Sequence, residues 1–292
     1  MEAILFVGHG SKDSEGNQAL INFTEKVEKA INQVRTVPIM ETCFLELTTP
    51  TVATGISKCL ERGAKRIALV PIILFSAGHA KVDIPGAIDL AKKNYPEVEF
   101  SYGRPILIHV NIMQLLTEGL QALGYEKTEK RDHNSAILMI GRGSSDPDAN
   151  SEFYKVLRYL WERTSVKWVE PAFMGITEPT FPEGIECCIN SGAKNIYILP
   201  YFLFTGVLIK RMAATVDEYR QKYPQINFQL ANPFGLHDLL IEVIKERGLE
   251  ALDGASQLNC DMCPHRLGSV SHHHHHDHHD HHRHDHGHGG AE

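Results

Sequence analysis

The chain has 292 residues, with 29 Lys and Arg against 36 Asp and Glu for a formal charge of −7, and 42% of it is hydrophobic. That composition excludes a disordered protein and supports a large buried core. Residues 253–292 hold six of the acids and two of the bases, so the body is close to neutral and gives no bulk argument for a nucleic-acid partner. No apolar run is long enough to span a membrane, and the start lacks the basic and small-residue marks of a signal peptide. The six cysteines show no spacing of a small secreted domain, so a reducing, cytoplasmic setting is expected.

Taken in chain order, residues 3–7 form a short apolar run ending in Gly8, which predicts a buried strand. Leu20, Phe23, Val27, Ala30, Ile31 and Val34 then recur at helical spacing. A strand near 37–45 leads to Thr49-Pro50, read as the N-cap and first turn of a helix ending near Gly63. Residues 67–74 carry the strongest β pattern. A helix near 86–94, a strand near 98–102 and a helix from 110 to about 123 follow. The same order begins again at Ala136.

The repetition is legible residue by residue. GHGSKDSEGNQ at 8–18 resembles GRGSSDPDANS at 141–151, and residues 47–78 align with 176–207. KKNYPEVEFSYGRPILIH at 92–109 meets QKYPQINFQLANPFGLH, which ends at His237. Three collinear blocks at offsets of 133, 129 and 128 mark two homologous halves. Strands separated by helices, with apolar runs too continuous for one-sided exposure, predict parallel sheets covered on both faces. The expectation is an α/β protein of two lobes related by a pseudo-two-fold, at 1–125 and 133–250, followed by a disordered His-rich tail at 254–292. Ligands in such sheets bind beyond the carboxyl ends of the strands.

Residues shared by both copies are read as fold chemistry: Gly63 and Gly192, Pro71 and Pro200, Pro50 and Pro179, Gly8 and Gly141. His109 and His237 are also shared, and fit a polar residue at a helix start better than catalysis. The informative positions differ between copies just beyond a strand. His9 faces Arg142, Glu46 faces Gly175, and His79 faces Leu208. Two imidazoles and a carboxylate suit a divalent first-row ion such as Co²⁺, Fe²⁺ or Ni²⁺. The same groups could accept protons from a weak N–H acid. Gly8 to Ser11 could also cradle phosphate, but the Walker lysine and the GxGxxG spacing are missing, so no nucleotide is expected.

GHGS after the first strand, FLEL before Thr-Thr-Pro-Thr, and VPIILFSAGHAKVDIP together resemble the class II tetrapyrrole chelatases, in the long CbiX-type sirohydrochlorin cobaltochelatase form. The resemblance covers roughly residues 1–250. It implies two chelatase-like lobes clasping a tetrapyrrole, with His9, His79 and Glu46 taking up metal and accepting pyrrole protons. His9 would be the main proton acceptor and His79 its metal-binding partner, with Glu46 open to either task. Leu74, Phe75, Ser76, Ala77 and Gly78 would line the macrocycle, with Ser11 nearby. Phe75, Phe202 and Phe204 stand at matching strand ends for an apolar slot. Arg104 and Arg142, with Lys81, Lys210 and Arg211, are candidate partners for the substrate's carboxylate arms. The implied reaction is ATP-independent insertion of Co²⁺ into sirohydrochlorin, in the anaerobic, early-cobalt cobalamin route. A ferrochelatase of sirohaem synthesis and a non-catalytic metal-storage or chaperone protein remain the alternatives. Nickel or iron as metal and a homodimer also stay open.

Beyond the last predicted helix lies Cys260-Asp261-Met262-Cys263. A lone CxxC supplies two thiolates, short of the four a cluster usually takes. The resemblance nonetheless implies an iron–sulfur centre at Cys260 and Cys263, although Leu258 stands where the family pattern has Met. Twelve of the 18 histidines follow: His272, His273, His274, His275, His276, His278, His279, His281, His282, His284, His286 and His288. Aspartates interrupt the run and six consecutive histidines never occur, which favours a native metal-binding segment over a purification tag. Neutral imidazole is the ligand, so metal loading there is expected to fall as pH drops below about 6.

Overall fold

The computed structural model describes residues 1–254. The first half runs β1 (Glu2–Gly8), α1 (Ser14–Asn32), β2 (Ile39–Phe44), α2 (Val52–Glu61), β3 (Arg66–Pro71), a π-helical turn (His79–Asp83), α3 (Ile84–Asn94), β4 (Glu99–Tyr102) and α4 (Val110–Ala122). The second runs β5 (Asp132–Gly141), α5 (Pro147–Arg163), β6 (Val166–Phe173), α6 (Phe181–Asn190), β7 (Asn195–Pro200), α7 (Val207–Lys222), β8 (Asn227–Leu230) and α8 (Asp238–Leu252). Each half builds a four-stranded parallel sheet, ordered β2-β1-β3-β4 and β6-β5-β7-β8. This is the expected pair of pseudo-symmetric α/β lobes. No helix of the described residues is long and apolar enough to cross a membrane.

The continuous apolar runs follow from burial on both sides. Ile4 and Phe6 of β1 face a central core shared by the two lobes, while Ala3, Leu5 and Val7 face an outer layer under α2 and α3. In the second lobe Ile137 and Met139 face the shared core, and Ala136, Leu138 and Ile140 face their own outer layer. Leu20, Phe23, Val27 and Ile31 of α1 join the shared core at the predicted spacing.

Two local expectations shift. The strand predicted over 67–74 ends at Pro71, and the chain then leaves the ladder as a loop. Thr51, not Thr49, caps α2, its hydroxyl accepting from the Thr54 N–H at 3.3 Å, so Pro50 precedes the cap. In α6 the equivalent Thr180 closes a capping box with Glu183, which accepts from the Thr180 N–H at 2.7 Å. Gly63 and Gly192 turn the chain out of α2 and α6 at φ +85° and +87°.

The last helix of each half crosses to the other lobe. α8 packs on β1, β3, β4 and α1, and α4 packs on β7 and α5. Gly248 in α8 makes room for this: a Cβ there would lie 3.3 Å from Ile31 and 3.4 Å from Ile4. Arg247, almost fully buried, donates to the carbonyls of Pro105 and Ile106 at 3.2 Å each. His109 and His237 cap α4 and α8, their Nδ1 atoms accepting from Asn111 and Leu239. Their Nε2 atoms reach Glu246 at 3.2 Å and Glu118 at 3.1 Å on the exchanged partner helices. Both shared histidines are therefore structural, as read from the sequence.

Candidate active site

The β1–β2 pairing continues one step past the strands. Leu45 N–H donates to Gly8 O at 2.9 Å and Glu46 N–H to His9 O at 3.1 Å, which sets His9 and Glu46 side by side at the carboxyl edge. Gly10 makes that closeness feasible. Its φ is +91°, and a Cβ would stand 1.9 Å from the Glu46 carbonyl oxygen. His9 Nε2 lies 3.5 Å from Glu46 Oε1, and the two side chains are 25% and 41% exposed. Arg142, at the matching end of β5, reaches across to His9 Nε2 at 2.7 Å. His79 opens the π-helical turn after β3, a helix irregularity frequent at functional sites. The side chain of His79 lies outside the described residues.

Ser11 is committed to its own loop. Its backbone is bracketed by the Asn17 amide at 2.9 and 2.8 Å, and its hydroxyl accepts from the Asp13 N–H at 3.0 Å. Ser144, Asn150 and Asp146 repeat the arrangement, so this part of GHGS belongs to the fold. The loop after β3 is pinned by Leu107 N–H donating to Leu74 O at 2.8 Å. Leu74 and Phe75 pack on the shared core, and Phe75 stacks on Tyr201 of the other lobe at 5.3 Å. Ser76 and Ala77 are half-buried and Gly78 is exposed. Phe204 packs against Phe23 at 5.4 Å, while Phe202 turns away into the outer layer of the second lobe.

Several cations expected to meet substrate already have partners. Arg104 makes two bonds to Glu250 at 2.9 and 2.6 Å. Lys81 bridges Asp146 at 2.6 Å and Asp148 at 3.1 Å, and Lys210 bridges Asp13 and Glu15 at 2.8 Å each. These are pseudo-symmetric latches, one on each side, tying a helix start in one lobe to a lysine of the other. The Lys210 ammonium and the Glu15 N–H hold the Asp13 carboxyl below its ordinary value. Burial alone would raise Asp146, but Lys81 and the α5 N–H groups outweigh it and the net direction is down. Sequence reasoning missed the acidic partners. Their signal was present: both aspartates and both lysines recur at the offsets of the repeat. Arg211 reaches the Met174 carbonyl at 3.5 Å.

The iron–sulfur expectation is overturned. Cys260 and Cys263 lie outside the described residues, as does the histidine run. Among the described residues no three His, Cys, Asp or Glu side chains are grouped to hold a metal, so the body offers no set to complete a cluster. The thiols there are also poor thiolate donors, since burial raises Cys43, Cys59 and Cys188, with Cys59 pushed up to about 12.

Two parallel-sheet lobes, joined by exchanged helices and setting His9 and Glu46 of one against Arg142 of the other, define a two-lobed α/β protein with its candidate site where the lobes meet. A family model described as CbiX matches residues 3–123 and again 136–251. The chain belongs to the CbiX family. It is 48% identical to the sirohydrochlorin cobaltochelatase of Priestia megaterium, over 94% of this chain and 88% of that one. It is 35% identical to the sirohydrochlorin ferrochelatase of the same organism, over 85% and 89%. Among solved structures it is similar to SirB from Bacillus subtilis with Fe³⁺, at a TM-score of 0.75 and 33% identity, covering 88% of this chain and 98% of that one.

Proposed function

We propose that the chain inserts Co²⁺ into sirohydrochlorin, with His9, Glu46 and His79 as the working donors. The chain is a class II chelatase acting on sirohydrochlorin with a divalent metal as co-substrate. What favours cobalt is the 48% identity to a cobaltochelatase over 94% of the chain, against 35% to a ferrochelatase. In the balanced reaction, two pyrrole N–H bonds break, the metal takes the four ring nitrogens, and two protons leave. Pyrrole N–H is a very weak acid, so loss of its protons needs a base and a cation together. His9 Nε2 would hold the metal first and, as the metal passes to the ring, its freed lone pair would accept a pyrrole proton, while Glu46 Oε1 3.5 Å away offers a second oxygen donor or proton acceptor. Arg142 would meet an acetate or propionate arm, joined by Arg104 if Glu250 gives way. The loop from Leu74 to Gly78 would lie against the macrocycle.

One chain supplies both walls of the cleft, so a second copy is not required to complete the site. In this reading the reaction takes place in the cytoplasm, as a step towards cobalamin, and the histidine-rich tail stores or delivers metal. Insertion of iron to make sirohaem is the second reading, supported by the ferrochelatase relative and by the fold of SirB. The deciding measurement follows the absorbance of sirohydrochlorin mixed with the purified chain and Co²⁺, Fe²⁺ or Ni²⁺ in turn. Fastest turnover with Co²⁺ is expected; a higher kcat/KM with Fe²⁺ would reassign the metal.

A further inference from the structure

The contact between His9 and Arg142 has a direction. A guanidinium carries donors and no acceptor, so His9 Nε2 receives the bond at 2.7 Å. The ring proton then sits on Nδ1, which is 3.2 Å from the Gly10 carbonyl, an acceptor only. Together the two bonds favour the Nδ1–H tautomer, with the Nε2 lone pair turned to Arg142 and Glu46 Oε1 3.5 Å from the same nitrogen. A metal that coordinates Nε2 needs the lone pair that Arg142 engages. The arginine and the metal are therefore mutually exclusive on His9.

The partner of Arg142 also sets it apart from its neighbours. Lys81, Lys210 and Arg104 are each held by carboxylates, and a substrate carboxylate would only replace one anion by another. Arg142 is held by a neutral ring. Moving to a carboxylate would exchange a neutral acceptor for a charged one, a bond roughly twice as strong. We propose that Arg142 is a placeholder cation. It fixes His9 in the metal-accepting tautomer and gives up Nε2 to the metal when its guanidinium turns to a carboxylate arm of the tetrapyrrole. Arrival of the substrate's anion and metal capture by His9 are thereby coupled through one side chain. This rests on His9 being a metal ligand, as proposed above, and adds a positioning role for its pseudo-symmetric counterpart.

The test uses the full chain, so the tail is common to every sample. Co²⁺ is titrated while the NMR signal of the Gly10 amide, next to His9, reports paramagnetic broadening. A competitor that occupies the lone pair nine-tenths of the time weakens apparent metal affinity about tenfold. In Arg142→Ala, half-broadening is expected at about tenfold less Co²⁺ and the KM for sirohydrochlorin is expected to rise. The ¹⁵N spectrum of His9, assigned by loss of its signals in His9→Gln, is expected to show mixed tautomers. Arg142→Lys, which keeps a donor and a charge, is expected to restore the single tautomer. Unchanged or weaker Co²⁺ binding in Arg142→Ala, or an unchanged tautomer, would overturn the proposal. If Gly10 broadens equally in His9→Gln and in the unmodified chain, the assignment of His9 as a ligand fails, and the placeholder role fails with it.

Discussion

The two lobes are built alike and finished differently. Both extend the pairing of their first two strands by one step, both bracket the following loop with an Asn amide, and both cap the next helix with an aspartate. At the strand ends the first lobe then carries His9, Glu46 and His79, where the second carries Arg142, Gly175 and Leu208. The backbone differs at one place as well. His79 opens a π-helical turn, whereas α7 starts at Val207 as ordinary α-helix. On the proposed reading, a shared scaffold with unshared termini separates what the fold needs from what chemistry needs. It also shows how duplication can give one lobe the donors and the other a cation to face them.

The largest effect that tests this division is on turnover. Replacing His9 or His79 by Ala is expected to lower kcat for metal insertion on the order of 10²–10⁴-fold, the usual loss with a general base. Circular dichroism should remain that of the folded chain, because neither residue has a counterpart that the second lobe needs. Full activity in the double variant would remove the site from the first lobe.

Much of this was legible in the sequence because the chain carries its own control. The offsets revealed the duplication, and the polarity differences between copies singled out His9 and Glu46, which the fold brings together. The helix exchange was not legible. Helical spacing says that α8 has an apolar face, but not that Ile4 and Ile31 of the other lobe cover it. Lys81 and Lys210 show a related limit. A basic residue at a cleft reads the same whether its anion belongs to a ligand or to Asp146 and Asp13 of the facing lobe. Thr49 was read as the cap of α2, and the bond from the Thr54 N–H shows that the cap is Thr51.

A second, smaller contrast concerns stability. Gly10 and Gly143 are counterparts with φ near +90°, yet the space around them differs. A Cβ at Gly10 meets backbone oxygen at 1.9 Å, whereas at Gly143 it meets the Thr177 side chain at 3.0 Å. Gly10→Ala is expected to cost about 3 kcal/mol or more and to part Glu46 from His9, while Gly143→Ala costs about 1–2 kcal/mol. Urea unfolding of the two variants checks the order, and equal losses would show that conformation alone, not the close approach, sets the price.

The latches predict a symmetric response. Asp13 and Asp146 both titrate below the ordinary 3.8. Their contribution to stability is complete above that value and is lost as pH falls through the lowered one. Resistance to urea should therefore hold at pH 5 and fall only in stronger acid. Lys81→Ala and Lys210→Ala should each lower it modestly, and less so in high salt, because these pairs are largely solvent-screened. A loss confined to one of the two variants would break the pseudo-symmetry of the pairs.

The smallest expected effect lies at the ends of β3 and β7, where Ile72 in one lobe faces Tyr201 in the other. Tyr201 is buried under Phe75, Phe153 and Phe234, and its hydroxyl has no hydrogen-bond partner among the described residues. An unsatisfied buried hydroxyl costs about 1–3 kcal/mol, while the ring still contributes its stacking. Tyr201→Phe keeps the ring and removes the penalty, so stability should rise by about 1 kcal/mol, a Tm increase of roughly 2–4 °C for a chain this size. The fully apolar Ile72 already tolerates the equivalent place in the first lobe. Calorimetry decides the point. A lower Tm in Tyr201→Phe would mean that the hydroxyl is satisfied, and that the second lobe keeps it for a bond the first lobe does not need.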